Sequence, residues 1–114
     1  MNIEFRYTDE FLREAKILSK RYHSFKDDLK KFCADYANNP SLGDDLGNGI
    51  RKIRMAIASK GKGKSNGARV ITFTLYIDTQ NSTVYLALIY DKSKQASVSK
   101  KDILDVLRSN FLID

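Results

Sequence analysis

Between residues 51 and 69 the chain carries seven Lys or Arg side chains and no carboxylate: Arg51, Lys52, Arg54, Lys60, Lys62, Lys64 and Arg69. Positive charge at that density, in a stretch where Gly61, Gly63 and Gly67 bare the backbone N–H groups, suits a phosphate-rich ligand. The whole chain has 20 Lys and Arg against 14 Asp and Glu, so outside this window the balance is 13 to 14. The basic character is local. The chemistry it predicts is an RNA-phosphate site, with Lys52, Arg54, Lys60, Lys62, Lys64 and Arg69 around a backbone linkage to be cut. Cations held in place around a reacting phosphoryl group stabilise its extra negative charge, and one such donor is typically worth roughly 3–4 kcal/mol. A solvated hairpin loop shares this composition. Lys52, Arg54 and Arg69, however, fall in strand-like runs, where solubility alone explains unpaired charge poorly.

Other chemistries find less support. Residues 58–65, Ala-Ser-Lys-Gly-Lys-Gly-Lys-Ser, satisfy a relaxed Walker A pattern. A P-loop needs a helix to start at Lys64-Ser65 so that its N-terminus faces the phosphates. Asn66-Gly67 predicts a turn there, and the β-branched Val70, Ile71, Thr72 and Thr74 predict a strand. Cys33 is the only cysteine, which excludes a disulfide framework and a thiolate metal cluster. It lies on an apolar helical stripe and reads as core. His23, the sole histidine, falls in a helix junction and reads as structural. Asp44 and Asp45 are adjacent, with no further carboxylate spaced to complete a metal cage. No cofactor is expected.

The elements that must position the basic window follow from periodicity. Residues 2–7 alternate as a strand, and Thr8 caps a helix with the stripe Phe11, Ala15, Leu18 and Tyr22. Ser24-Phe25-Lys26-Asp27 reads as a capping box opening a second helix, ended by Asn38-Asn39-Pro40. The two should form an antiparallel hairpin. Residues 40–49 read as a turn-rich surface connection. Three strand-like runs, 50–58, 68–77 and 83–91, have short connections that predict an antiparallel meander. Ser99-Lys100-Lys101-Asp102 opens a last helix with the stripe Ile103, Leu104, Leu107 and Phe111. The expectation is one α+β domain over 1–114: a small antiparallel sheet, ordered β-α-α-β-β-β-α, with the N-terminal helical hairpin on one face. In the first meander strand Ile53, Met55 and Ile57 face one way, and Lys52 and Arg54 the other. Arg69 falls in register with Ile71 and Phe73, which predicts a place at the strand mouth or a bulge beside Gly67. The N-terminus lacks a signal-peptide pattern and no apolar run reaches membrane-spanning length, so a cytoplasmic protein without a membrane partner is expected.

Three blocks carry a resemblance: Lys52-Ile53-Arg54; Ser59 through Ile71; and Val84-Tyr85-Leu86 through Ile89-Tyr90-Asp91-Lys92-Ser93. Together with the element order, they resemble the RelE/ParE superfamily of bacterial toxin–antitoxin toxins, nearest its HigB-like branch. Asn66 stands where members of that branch often have a second glycine. The resemblance implies a metal-independent, ribosome-dependent endoribonuclease that cuts mRNA by attack of a ribose 2′-OH on the adjacent phosphate. It implies that Lys52 and Arg54 hold the phosphate or act as base, and that Arg69 stabilises the phosphorane. Tyr90, Lys92 and Lys94 match the family's closing group of functional side chains. No Tyr or His follows Tyr90 in 91–99, so only Tyr90 could stack on a base there. The implied partners are the ribosome, mRNA and a cognate antitoxin, acidic where it meets the basic face. The ParE branch, which poisons DNA gyrase without cutting RNA, and a non-catalytic RNA- or partner-binding module are the alternatives on the same scaffold.

Overall fold

The computed structural model describes residues 2–61 and 63–114. Strand β1 (Asn2–Tyr7) leads into α1 (Asp9–Arg21) and α2 (Phe25–Asn38). Then come β2 (Asp44–Gly47), β3 (Ile50–Met55), β4 (Ala68–Tyr76), β5 (Asn81–Asp91) and α3 (Lys100–Ser109). The five strands form one sheet in the order β1-β5-β4-β3-β2. The class is α+β.

Two features of the sheet correct the sequence reading. It is mixed, because β1 runs parallel to β5. Short connections dictate antiparallel pairing for β3, β4 and β5, but nothing local fixes the direction of β1. The long α1–α2 excursion returns the chain at the opposite sheet edge, and the meander then arrives beside β1 in the same sense. The turn-rich stretch 40–49 also contains a strand: β2 pairs with β3 across a turn in which Gly47, Asn48 and Gly49 all have positive φ. Leu46 packs into the core and holds this hairpin in spite of its poor strand composition.

Both helix starts marked by Thr8 and Ser99 are capped as the spacing predicts. Thr8 Oγ1 accepts the Phe11 N–H at 3.0 Å and donates to Ala87 O at 2.7 Å, and Ser99 Oγ accepts the Asp102 N–H. Ser24 makes no cap. Its backbone is already helical (φ −84°, ψ −5°), whereas a capping side chain needs an extended backbone to reach forward. Ser24 Oγ instead accepts the Ser59 N–H at 2.9 Å and lies 2.6 Å from Asp28 Oδ2. Asp28 Oδ2 also accepts the Ala58 N–H. The start of α2 thus holds the near end of the glycine-rich loop. The two helices do not form a tight hairpin: α1 packs chiefly on β5, while α2 touches β3, the turn 58–60 and α1.

Two apolar clusters lie on opposite faces of the sheet. Phe11, Leu18, Phe25, Phe32 and Tyr36 cover Ile53, Met55, Val70, Val84, Leu86 and Ile89. Ile103 and Leu107 of α3 cover Ile50, Ile71, Phe73 and Ala87 on the other face. Strand β5 feeds both, as its unbroken apolar run from Val84 to Tyr90 requires of a strand covered on two sides. Alternation lets it do so, interrupted by one bulge: Ile71 faces Leu88 but Thr72 faces Leu86, leaving Ala87 as the extra residue, in the same cluster as Leu88. This shift lies in β5, away from Gly67. No helix among the described residues is long and apolar enough to cross a membrane.

Candidate nucleic-acid interface

The ladder between β3 and β4 decides where the basic side chains go. Thr74 N–H bonds Gly49 O at 2.9 Å, so hydrogen-bonded and non-hydrogen-bonded pairs alternate from there. Arg54 and Arg69 are direct partners and form a non-hydrogen-bonded pair, the closer kind, with Cα atoms about 4.5 Å apart. Tyr90 continues the same rung on β5. In the neighbouring rung Lys52 lies opposite Ile71, which pairs with Leu88. Ile71 and Leu88 belong to the α3-side cluster, so Lys52, Arg54, Arg69 and Tyr90 stand on that same face.

Arg69 reaches that face in the apolar register, with no bulge between β3 and β4 to re-aim it. It is buried, at 7% exposure. Its charge is met by carbonyls, not by a carboxylate: Nη1 donates to Lys64 O and Ala68 O, and Nη2 donates to Ser65 O at 3.0 Å. A guanidinium has five N–H donors. Among the described residues those three bonds leave the Nε–H and one Nη2–H without a partner. The three-residue turn Lys64–Asn66 supplying the carbonyls closes against β3, where a Cβ on Gly67 would come within 2.0 Å of Met55 O. One 3₁₀ turn followed at once by β4 is not the helix that a P-loop needs.

Tyr90 is 5% exposed and its hydroxyl has no hydrogen-bond partner among the described residues. Burial pushes its pKa up, opposed by the nearby Arg69 charge. Lys52 is half-buried and Arg54 exposed, and neither makes an ion pair or side-chain hydrogen bond among the described residues. Asp44 is the cross-strand partner of Lys52 and lines the same cleft without forming an ion pair with it. Adjacency to Asp45 suggested nothing of this, because the neighbour that matters is on the next strand.

The remaining candidates are placed differently. Lys60 points to the helical face, where its Nζ bonds Asp91 Oδ1 at 2.8 Å and lies over the Tyr22 ring at 5.3 Å. Asp91, 2% exposed, also accepts Tyr22 OH at 2.5 Å, Arg21 Nη1 at 3.3 Å and the Ser93 N–H and hydroxyl. Burial alone would raise the Asp91 pKa; the bonds from Lys60, Tyr22 and Ser93 override it and hold the carboxyl well below its usual range. Lys60 therefore anchors the loop. Lys64 is exposed and borders two clefts. Lys92 N–H bonds Gly67 O, and its Nζ donates to Ala96 O at 2.6 Å. Lys94 is exposed. Lys62 lies outside the described residues. Arg51, on the opposite face, braces the carbonyls of Ser41, Leu42 and Gly43.

Asp91 escaped the sequence reading because its partners come from α1 and the loop, far away along the chain; the one signal was a carboxylate ending an otherwise apolar strand. Among the described residues no group of three or more His, Cys, Asp or Glu gathers to hold a metal ion. No family model matches the chain.

Proposed function

We propose that this chain is a metal-independent endoribonuclease of the RelE/ParE type, with that family's fold, cutting mRNA on the ribosome as the toxin of a toxin–antitoxin pair. The observation that carries this reading is the rung Arg54–Arg69–Tyr90 with Lys52 beside it. Like charges directly opposite on neighbouring strands destabilise a sheet. An arrangement that brings two arginines together, leaves one without a counter-ion and buries an unbonded phenol beside them has little structural merit. It is well suited to an anionic, trigonal-bipyramidal phosphorus.

In the proposed reaction the 2′-oxygen bonds to phosphorus as the P–O5′ bond breaks, giving a 2′,3′-cyclic phosphate and a 5′-OH end. Lys52 and Arg54 hold the non-bridging oxygens. Arg69 offers its remaining N–H donors to the charge that develops on them. The 2′-OH proton passes to the Asp44 carboxylate, and the departing 5′-oxygen takes a proton from water. An antitoxin acidic at its contact would cover this face.

Lys52 and Arg54 give the cleaner test, since Arg69 also braces residues 64 and 65. Transcript ends should be mapped after brief induction in a bacterial host. The expected result is new 5′-OH ends with the natural chain and none with a stable Lys52→Ala, Arg54→Ala variant. DNA breaks with intact transcripts would instead point to a gyrase poison.

A further inference from the structure

We infer that the apolar hollow around the free edge of β3 binds the base of the nucleotide whose phosphate lies on Lys52 and Arg54, taking a base with an exocyclic amino group in preference to uracil. This rests on the phosphate reading of the cationic cleft.

Two adjoining clefts meet at Leu42, Arg54 and Lys64. One, with about 760 Å³ of empty space open to solvent, holds Lys52 and Asp44. The other, a smaller slot also open to solvent, passes around the sheet edge to α2 and is walled by Phe32, Met55 and Ala56. A cationic cleft continuous with an apolar slot fits a ligand that joins a phosphate to a flat heterocycle, which is what a nucleotide is.

The edge between the clefts can read such a ring. β2 pairs with β3 only as far as Asp44 opposite Lys52. The ladder alternation turns the N–H and C=O of Arg54 outward, beyond the end of β2, and no hydrogen bond to either occurs among the described residues. An adjacent backbone donor and acceptor match the edge of any base. The preference comes from the far wall. Asp28 has Oδ1 unbonded among the described residues, and Asp35 pairs only with Lys31, at 2.9 Å on Oδ2. Carboxylates accept hydrogen bonds from exocyclic amines. The two carbonyl oxygens of uracil would meet them with like polarity.

The test is a titration of the isotope-labelled protein with 5′-AMP, 5′-CMP, 5′-UMP and inorganic phosphate, followed by NMR. The inference predicts that AMP and CMP bind about tenfold or more tighter than phosphate. They should shift the amides of Leu42, Arg54 and Ala56, with UMP weaker. Ala56→Phe, which fills the slot, should remove the nucleotide advantage and leave phosphate affinity unchanged. Asp35→Asn should narrow the gap between AMP and UMP. Nucleotides binding no better than phosphate, an advantage surviving Ala56→Phe, or UMP equal to AMP would each overturn the assignment while sparing the phosphate cleft. Failure of every ligand to bind, phosphate included, would overturn the cleft as well.

Discussion

At the scale of single residues, two charges in this molecule have opposite roles. Arg54 sits opposite Arg69 with no counter-ion among the described residues, so it should weaken the fold that carries it. Arg54→Thr, which fits a strand, is expected to raise stability by up to about 1 kcal/mol while lowering RNA cleavage; urea unfolding and a cleavage assay read the two effects separately. Asp91 is the reverse case, a buried carboxylate serving Lys60, Arg21, Tyr22 and Ser93. Its folded pKa lies below the unfolded value of about 4. The stability it confers is therefore whole above that pH and is lost as pH falls through the folded value. Asp91→Asn should cost about 3 kcal/mol at neutral pH, since it strands Lys60 without its partner. It should also flatten the acid limb of the stability profile below about pH 4, where the native chain falls steeply. An unchanged acid limb in the variant would show that Asp91 is not the group responsible.

At the scale of elements, the glycine-rich loop is a part built to hold Arg69. It is tied at one end by Ser24 and Asp28, in its middle by Lys60 to Asp91, and at the other end by Gly67, whose carbonyl takes the Lys92 N–H. Gly67 has no room for a side chain against Met55 O. Gly67→Ala should push the Lys64–Asn66 turn away from β3, free the Arg69 guanidinium, and reduce stability by about 1 kcal/mol or more. Faster amide exchange at residues 64–67, with β1 and α1 unaffected, is the expected signature. Period-two alternation was enough to read Lys52 and Arg54 onto one face of β3, and the doubly covered β5 was legible from its apolar run. The support for Arg69 was not, because its partners are loop carbonyls, which leave no trace in side-chain pattern. Lys60 looked like one more ligand cation for a related reason: its carboxylate lies 31 residues away, and only folding brings the two together. The direction of β1 and the existence of β2 were hidden too, since a long helical crossover and one anchoring leucine decide them.

At the scale of the whole molecule, the sheet divides the labour. The helical face is closed by a large apolar cluster and by the Asp91 network, while the α3 face carries the cation rung at one end. The net charge of +6 is therefore directed, and attraction for a polyanion should fall steeply with salt. The most direct test of the central claim is the chemistry of the ends produced when the purified chain meets mRNA on programmed ribosomes. On that claim, cleavage is expected to leave 2′,3′-cyclic phosphate and 5′-OH ends, and to be lost in a folded Lys52→Ala, Arg54→Ala variant. Intact mRNA with the natural chain, or cleavage undiminished in that variant, would contradict it.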